Sequence, residues 1–269
     1  MGVINTTPDS FSDGGSLYAG SKLDLTQVLR RALAMVEQGA SILDVGGEST
    51  RPGATPVSLQ QELDRVIPCI EGIRAHSDVA ISVDTSSPQV MRAATVAGAS
   101  MINDVRALGR EGAVTAAVEL QLPVCLMHMQ GQPGDMQAQP QYDDVVQEVI
   151  DFLLARVEQC LAAGLKAQHI YLDPGFGFGK TVDHNLQLLQ GLPRIAALGY
   201  PLLVGLSRKS MIGKLLGREV NKRLPASLAL AVLAAERGAS IIRSHDVEET
   251  VDAIAMVNAL ADTNSSESG

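Results

Sequence analysis

The stretch ISVDTSSPQVMRAATVAGASMIND (residues 81–104) decides the fold. It opens on a short apolar run, ISVD, that ends at Asp84, and closes on another, MIND, that ends at Asn103 and Asp104. Between the two, Ser87 followed by Pro88 reads as an N-cap and the first residue of a helix. Gly98 then supplies the left-handed residue that stops that helix. Strand, helix, glycine and strand in this order imply a parallel sheet covered by helices.

The same unit repeats in both directions along the chain. VIN ends at Asn5, ILD at Asp44, PVCLMH at Met127 and His128, and YLD at Asp173. VGLSRKS is expected to run as a strand to Lys209, and IIRSH to Arg243 and His245. Gly39, Gly164, Gly199 and Gly238 stop further helices, and Ser58 with Gln61 forms a capping box for a helix running towards Arg74. Eight strands favour closure over an open doubly wound sheet. The expected fold class is therefore α/β: a (β/α)8 TIM barrel, a single domain over residues 1–262, followed by a disordered tail at 263–269. In such a barrel the polar strand ends converge on the C-terminal rim, where these folds place their active sites. The run ASLALAVLAA (226–235) is apolar nearly all round a helical wheel, as in a helix buried on two sides, either within the monomer or at a subunit interface.

Length and composition agree with this reading. At 269 residues the chain is close to the roughly 250 typical of one barrel, and 46% apolar residues suffice for a large core. No apolar run reaches the roughly 18 residues that span a bilayer, and the opening MGVINTTPD has the features of no signal peptide. The three cysteines, Cys69, Cys125 and Cys160, are widely spaced and odd in number, which fits reduced thiols and a cytoplasmic location. A formal net charge of −9 without a basic arm argues against nucleic acid as a partner. An anionic ligand would need a local basic cluster, which Arg51, Arg208, Lys209, Arg243 and His245 supply if the strand ends converge.

Five segments carry the chemistry. NTTPDSFSDGG (5–15) is turn chemistry around one Phe11. Of the four phenylalanines, Phe11, Phe176 and Phe178 lie in loops and only Phe152 lies on an expected helix; the loop rings either pack locally or wall a pocket for a flat ligand. In GGESTRPG (46–53), Arg51 at a strand's C-terminal end suits a phosphate or carboxylate, the plainer alternative being a surface salt bridge. DPGFGFGKT (173–181) is not a P-loop, because the glycine required five residues before Gly179 is Pro174. SRKS (207–210) and RSH (243–245) place basic groups at neighbouring strand ends, where barrels often bind phosphate. The sequence has no HExxH, no paired cysteines and no EF-hand loop, so a dedicated zinc or calcium cage is not expected. Mg²⁺ carried in by a phosphate needs only one or two oxygen ligands, and Asn5 offers one.

Together NTTPDSFSDGG, ILDVGGESTRPG, SVDT, IND, DPGFGFGK, VGLSRKS and RSHDV resemble, in order from Met1 to about Val257, the signature segments of the dihydropteroate synthase family. The combination of ESTRPG, SRKS and a terminal RxH is specific; no single piece is. The resemblance implies a cytoplasmic, homodimeric (β/α)8 barrel of folate biosynthesis and a target of sulfonamides. It implies a transferase that joins 6-hydroxymethyl-7,8-dihydropterin diphosphate to p-aminobenzoate, releasing diphosphate with Mg²⁺ assistance. It implies that Asp84, Asn103, Met127, Asp173 and Lys209 bind the pterin, and that Asn5, Arg51, Arg243 and His245 bind the diphosphate, with Asn5 a ligand of Mg²⁺. Phe11, Thr50, Pro52, Phe178 and Ser210 would form the p-aminobenzoate pocket, and Asp84, Lys209, Arg243 and His245 would carry catalysis. The family usually has a short segment before the first strand, and usually has apolar residues at the positions of Thr6 and Ser244. Two other readings compete: a methyltetrahydrofolate-dependent methyltransferase, which needs neither a diphosphate cluster nor ESTRPG, and a non-catalytic pterin-binding relative.

Overall fold

The computed structural model describes residues 1–7, 18–19, 22–49, 57–131, 136 and 140–266, without the side chains of 18, 19, 22 and 264–266. Eight strands form one parallel sheet: β1 (Gly2–Asn5), β2 (Ile42–Gly46), β3 (Ala80–Asp84), β4 (Met101–Asp104), β5 (Val124–Met127), β6 (Ile170–Asp173), β7 (Leu202–Val204) and β8 (Ala239–Ile242). They pair in chain order, and a parallel bridge between Gly2 and Ser244 links the two edges. There the Val3 N–H donates to Ser244 O (3.2 Å) and the Ser244 N–H to Met1 O (2.9 Å). The sheet curls as in a TIM barrel, with helices between its strands. A two-residue antiparallel ladder, Tyr18–Ala19 with Lys22–Leu23, precedes the first helix.

The expected starts and stops are present. Ser87 caps α3 (Pro88–Ala97) by accepting from the Val90 N–H, and Gly98 closes it at φ 115°. Ser58 and Gln61 form a reciprocal capping box on α2 (Leu59–Arg74). The stop glycines 39, 164, 199 and 238 share the left-handed conformation. Two boundaries and the placement of one side chain differ from expectation. β7 ends at Val204, so Lys209 stands on a turn five residues beyond the ladder, with Arg208 at φ 56°. The last helix, Val247–Ser266, continues four residues into the stretch expected to be disordered, while 267–269 lie outside the described residues. Phe176, expected with the other loop rings to line a pocket or pack locally, is core, 1% exposed.

Strand residues alternate sides. Leu43, Val45, Ile81, Val83, Ile102, Leu126 and Leu172 face the helices and join the main core. On the opposite face Met101, Cys125 and Leu203 form a smaller cluster with Met1, Tyr171 and Ile241 packed against it. Two residues further along four of these strands, on the same face, stand Asn103, Met127, Asp173 and Arg243. The sheet's inner side thus changes from apolar to ionic within one strand repeat. The helix over 226–235 is Leu224–Glu236; it buries only Ser227, Ala231 and Ala234. On the final helix beside it, Met256 and Leu260 are exposed. No helix among the described residues is long and apolar enough to cross a membrane.

Candidate functional site

At the C-terminal ends of β2, β3, β4 and β8 one guanidinium joins two carboxylates. Arg243 Nε donates to Asp44 Oδ2 (2.6 Å) and its Nη2 to Asp84 Oδ2 (3.1 Å). Asn103 Nδ2 donates to the same Asp44 oxygen (3.0 Å). Asp44 is fully buried, and its Oδ1 has no hydrogen-bond partner among the described residues. Burial, and then the neighbouring Asp44, raise the Asp84 pKa, against the lowering by Arg243. A guanidinium between two such carboxylates stays charged and offsets one of their two charges.

The second group lies at the ends of β5, β6 and β7. Asp173 is buried, and its Oδ1 accepts from the Gly175 N–H (2.7 Å). Burial raises the Asp173 pKa, with Gly175, Lys209 and Lys180 pulling the other way. Lys209 Nζ lies 4.3 Å from the Phe178 ring centroid, a cation–π contact. Burial lowers its pKa to about 8, Asp173 opposing. The loop after β6 needs glycine twice. At Gly175 (φ 69°) an added Cβ would sit 1.8 Å from His128 O, and at Gly179 (φ 61°) it would sit 2.4 Å from Gln130 O. Met127, at the end of β5, is buried.

His245 stands beside the SRKS turn: its Nδ1 lies 3.1 Å from Ser207 Oγ, and that hydroxyl also accepts the His245 N–H (3.2 Å). Burial, then Arg243 and Arg208, lower its pKa to about 3, so the ring is neutral near pH 7. Arg208 pairs with Asp246 through Nε (2.9 Å) and Nη2, tying the turn after β7 to the chain after β8. Asn5 is half-buried at the end of β1, and Ser210 is exposed at the start of the helix Ser210–Leu216.

Of the residues expected in the site, Asp84, Asn103 and Arg243 share one hydrogen-bonded cluster through Asp44. Asp173 and Lys209 interact electrostatically, and Lys209 meets Phe178. Phe11, Thr50, Arg51 and Pro52 lie outside the described residues. Asp104 faces away: it accepts from Ser86 Oγ and from the N–H groups of Arg106 (2.8 Å) and Leu108 (2.9 Å), a structural role. Two residues went unassigned from sequence. Asp44 was visible as a strand end, but nothing local marked it as the partner of a residue 199 positions away. Lys180 belongs to the segment DPGFGFGKT, whose rejection as a P-loop left its lysine without a role.

The donor set bears on Mg²⁺. No group of three or more His, Cys, Asp or Glu side chains placed to hold a metal occurs among the described residues. Asn5, half-buried at the end of β1, carries a neutral amide oxygen, a donor type that suits Mg²⁺.

Comparison with known proteins follows the same line. A family model described as "Pterin binding enzyme" matches residues 1–245. The chain is 52% identical over 259 residues to the dihydropteroate synthase of Escherichia coli strain K12, covering 96% of this chain and 90% of that protein. It resembles the crystal structure of Yersinia pestis dihydropteroate synthase with a sulfonamide drug complex, with a TM-score of 0.93 and 50% identity over 97% of this chain and 94% of that one. The Xanthomonas albilineans dihydropteroate synthase in complex with 7,8-dihydropteroate gives a TM-score of 0.86 at 46% identity, over 97% and 92%. This chain belongs to the dihydropteroate synthase family of pterin-binding enzymes.

Proposed function

We propose that the family's reaction, the joining of 6-hydroxymethyl-7,8-dihydropterin diphosphate to p-aminobenzoate, runs at the C-terminal rim of the sheet. The observation that carries this reading is Arg243, a guanidinium bonded at once to Asp44 and Asp84, where the residues suited to a pterin edge meet those suited to a diphosphate. Asp173, with one oxygen taken by Gly175, presents the other to the amino-pyrimidine edge of the pterin. Asp84 and Asn103 take the remaining ring donors and acceptors, Lys209 the carbonyl side, and Met127 packs on the ring face. Asn5, Arg51, Arg243 and the neutral His245 hold the diphosphate. His245 acts there as an N–H donor and not as a cation. Asn5 would hold Mg²⁺ on the protein side, where the cation would supply charge neutralisation to the diphosphate.

When the methylene C–O bond breaks, its electron pair leaves with the diphosphate and positive charge develops on the pterin methylene. Arg243 is placed to favour the first charge and Asp84 the second, which is electrostatic preorganisation. The amine of p-aminobenzoate, seated against Phe11, Thr50, Pro52, Phe178 and Ser210, then forms the C–N bond and loses a proton. No covalent bond to the protein is needed.

The deciding assay is diphosphate release, with and without p-aminobenzoate and Mg²⁺. Release that requires p-aminobenzoate, forms 7,8-dihydropteroate and is inhibited competitively by a sulfonamide is expected. Tight pterin binding by folded protein without release would point to a binding protein instead. Three further readings rest on the same chain. The eight-stranded sheet, bridged from its last edge back to its first, supports treating residues 1–262 as one domain, and three buried free cysteines support a cytoplasmic location, checked by cell fractionation. The part-exposed apolar helix Leu224–Glu236 and its exposed neighbours Met256 and Leu260 support a homodimer through that face. A monomer in sedimentation velocity at micromolar protein would remove it.

A further inference from the structure

We infer that Lys180 is a positioning residue for this reaction, an inference that rests on the pterin site proposed above. Lys180 is 2% exposed, yet among the described residues no carboxylate lies within ion-pair distance of it. A buried ammonium without a paired anion is unfavourable unless neutral acceptors satisfy each of its protons. Here they do. Nζ lies 2.9 Å from His128 Nδ1 and donates to Gly175 O (2.9 Å) and Phe178 O (3.1 Å). Three N–H donors meet three acceptors, one on the segment after β5 and two on the loop after β6.

The two loop acceptors belong to residues that shape the site. Gly175 offers its N–H to Asp173, and Phe178 carries the ring under Lys209. Lys180 thus draws together, from beneath, the backbone that aims the Asp173 carboxylate and the backbone that places Phe178. A second tie holds the loop from its other side, where the Gly177 N–H donates to Asn185 Oδ1 (2.7 Å). The loop runs so close to His128 and Gln130 that Cβ atoms at 175 and 179 would overlap those carbonyls. With the ammonium gone, Phe178 O loses its Lys180 donor, Gly175 O keeps only the Phe178 N–H (3.1 Å), and the loop can relax away from the rim. A lysine that only supported folding would leave pterin affinity in the folded fraction untouched.

The test uses the full chain and the unreactive probe 6-hydroxymethylpterin, with Kd from titration calorimetry and Tm from thermal unfolding. Lys180→Met is expected to weaken the pterin by about 10- to 100-fold, the scale on which misplacement of a site by about 1 Å acts. Lys180→Gln, which keeps two N–H donors, is expected to fall between it and the unmodified protein, and it carries the test if the methionine variant fails to fold. KM for p-aminobenzoate should rise in parallel through Phe178. A pterin Kd within about threefold of the unmodified protein in the folded variants, whatever the Tm, overturns the positioning role. If the unmodified chain itself fails to bind the pterin, the site reading falls and this role with it, a result distinct from equal binding by all three proteins.

Discussion

The rim has two halves built on different principles. Around β2, β3, β4 and β8 the side chains hold one another: Asp44 to Arg243, Arg243 to Asp84, Asn103 to Asp44. Around β5, β6 and β7 backbone and rings hold the charges instead: Asp173 takes a glycine N–H, Lys180 two carbonyls and an imidazole, Lys209 a phenyl face. Among the described residues no ion pair joins Asp173 to either lysine. In the first half the charged groups are paired with one another through Arg243, so each is needed by its neighbours. In the second, burial lowers the pKa of Lys180 to about 7 and of Lys209 to about 8, so these charges are a load on the folded state. Their use lies in what they bind or place.

The largest consequence is for Asp44. Asp44→Ala would leave the partly buried Arg243 with Asp84 alone and strip Asn103 of its acceptor. Removing one member of a buried pair costs about 3–5 kcal/mol. Urea denaturation of the variant should show a loss in that range, with pterin binding abolished. A loss below about 1 kcal/mol would mean that solvent already satisfies Arg243 and that the first half is not mutually supported.

Lys209→Met should separate the halves most sharply. The same truncation of charge, made in the second half, is expected to leave stability unchanged or raised, because a desolvated ammonium is removed and no carboxylate is orphaned in an ion pair. Pterin affinity should nevertheless fall by about 2 kcal/mol, the worth of a hydrogen bond from a charged group. Calorimetry and denaturation on one sample measure both. A stability loss comparable to that of Asp44→Ala would show that Lys209 is paired with Asp173 after all.

Much of this architecture was legible in the sequence for local reasons. A capping box, an N-cap before proline and a left-handed glycine are each decided within a few residues, and the corresponding helices begin and end where those signals stand. The end of β7 was not, because nothing within Gly205–Lys209 marks where the ladder stops; the turn depends on Ser227 Oγ accepting the Arg208 N–H and on Arg223 reaching Arg208 O, contacts made across sequence. Phe176 reads as a loop aromatic, yet the glycines on either side fold it back into the core. Within the site, residue types at strand ends could be read, but not their pairings. Which carboxylate Arg243 would choose depends on the curl of the sheet, which brings β8 beside β1 and opposite Asp44 and Asp84.

His128 supplies the smallest test, and it asks whether the second half is held by a neutral ring. The imidazole is 5% exposed, and burial, then Lys180, lower its pKa to about 3 against an ordinary 6.5. The folded state keeps it neutral while the unfolded chain protonates it below 6.5. The unfolded state therefore binds more protons in this range, and the stability contributed is complete above pH 6.5 and lost as pH falls towards 3. His128→Asn keeps an acceptor for Lys180 and cannot titrate. Between pH 6.5 and 5.5 the unmodified protein should lose about 1 kcal/mol more stability than the variant. His245, shifted the same way, and Asp84, Asp104, Asp173 and Glu62, shifted upward, titrate in both proteins and cancel in the difference. Lys180, with a pKa of about 7, is mostly protonated across this window in the unmodified protein. Parallel pH curves for the two proteins would mean that His128 takes up its proton in the folded state, that Nδ1 cannot then accept from Lys180, and that the three-acceptor cradle loses one member below pH 6.5.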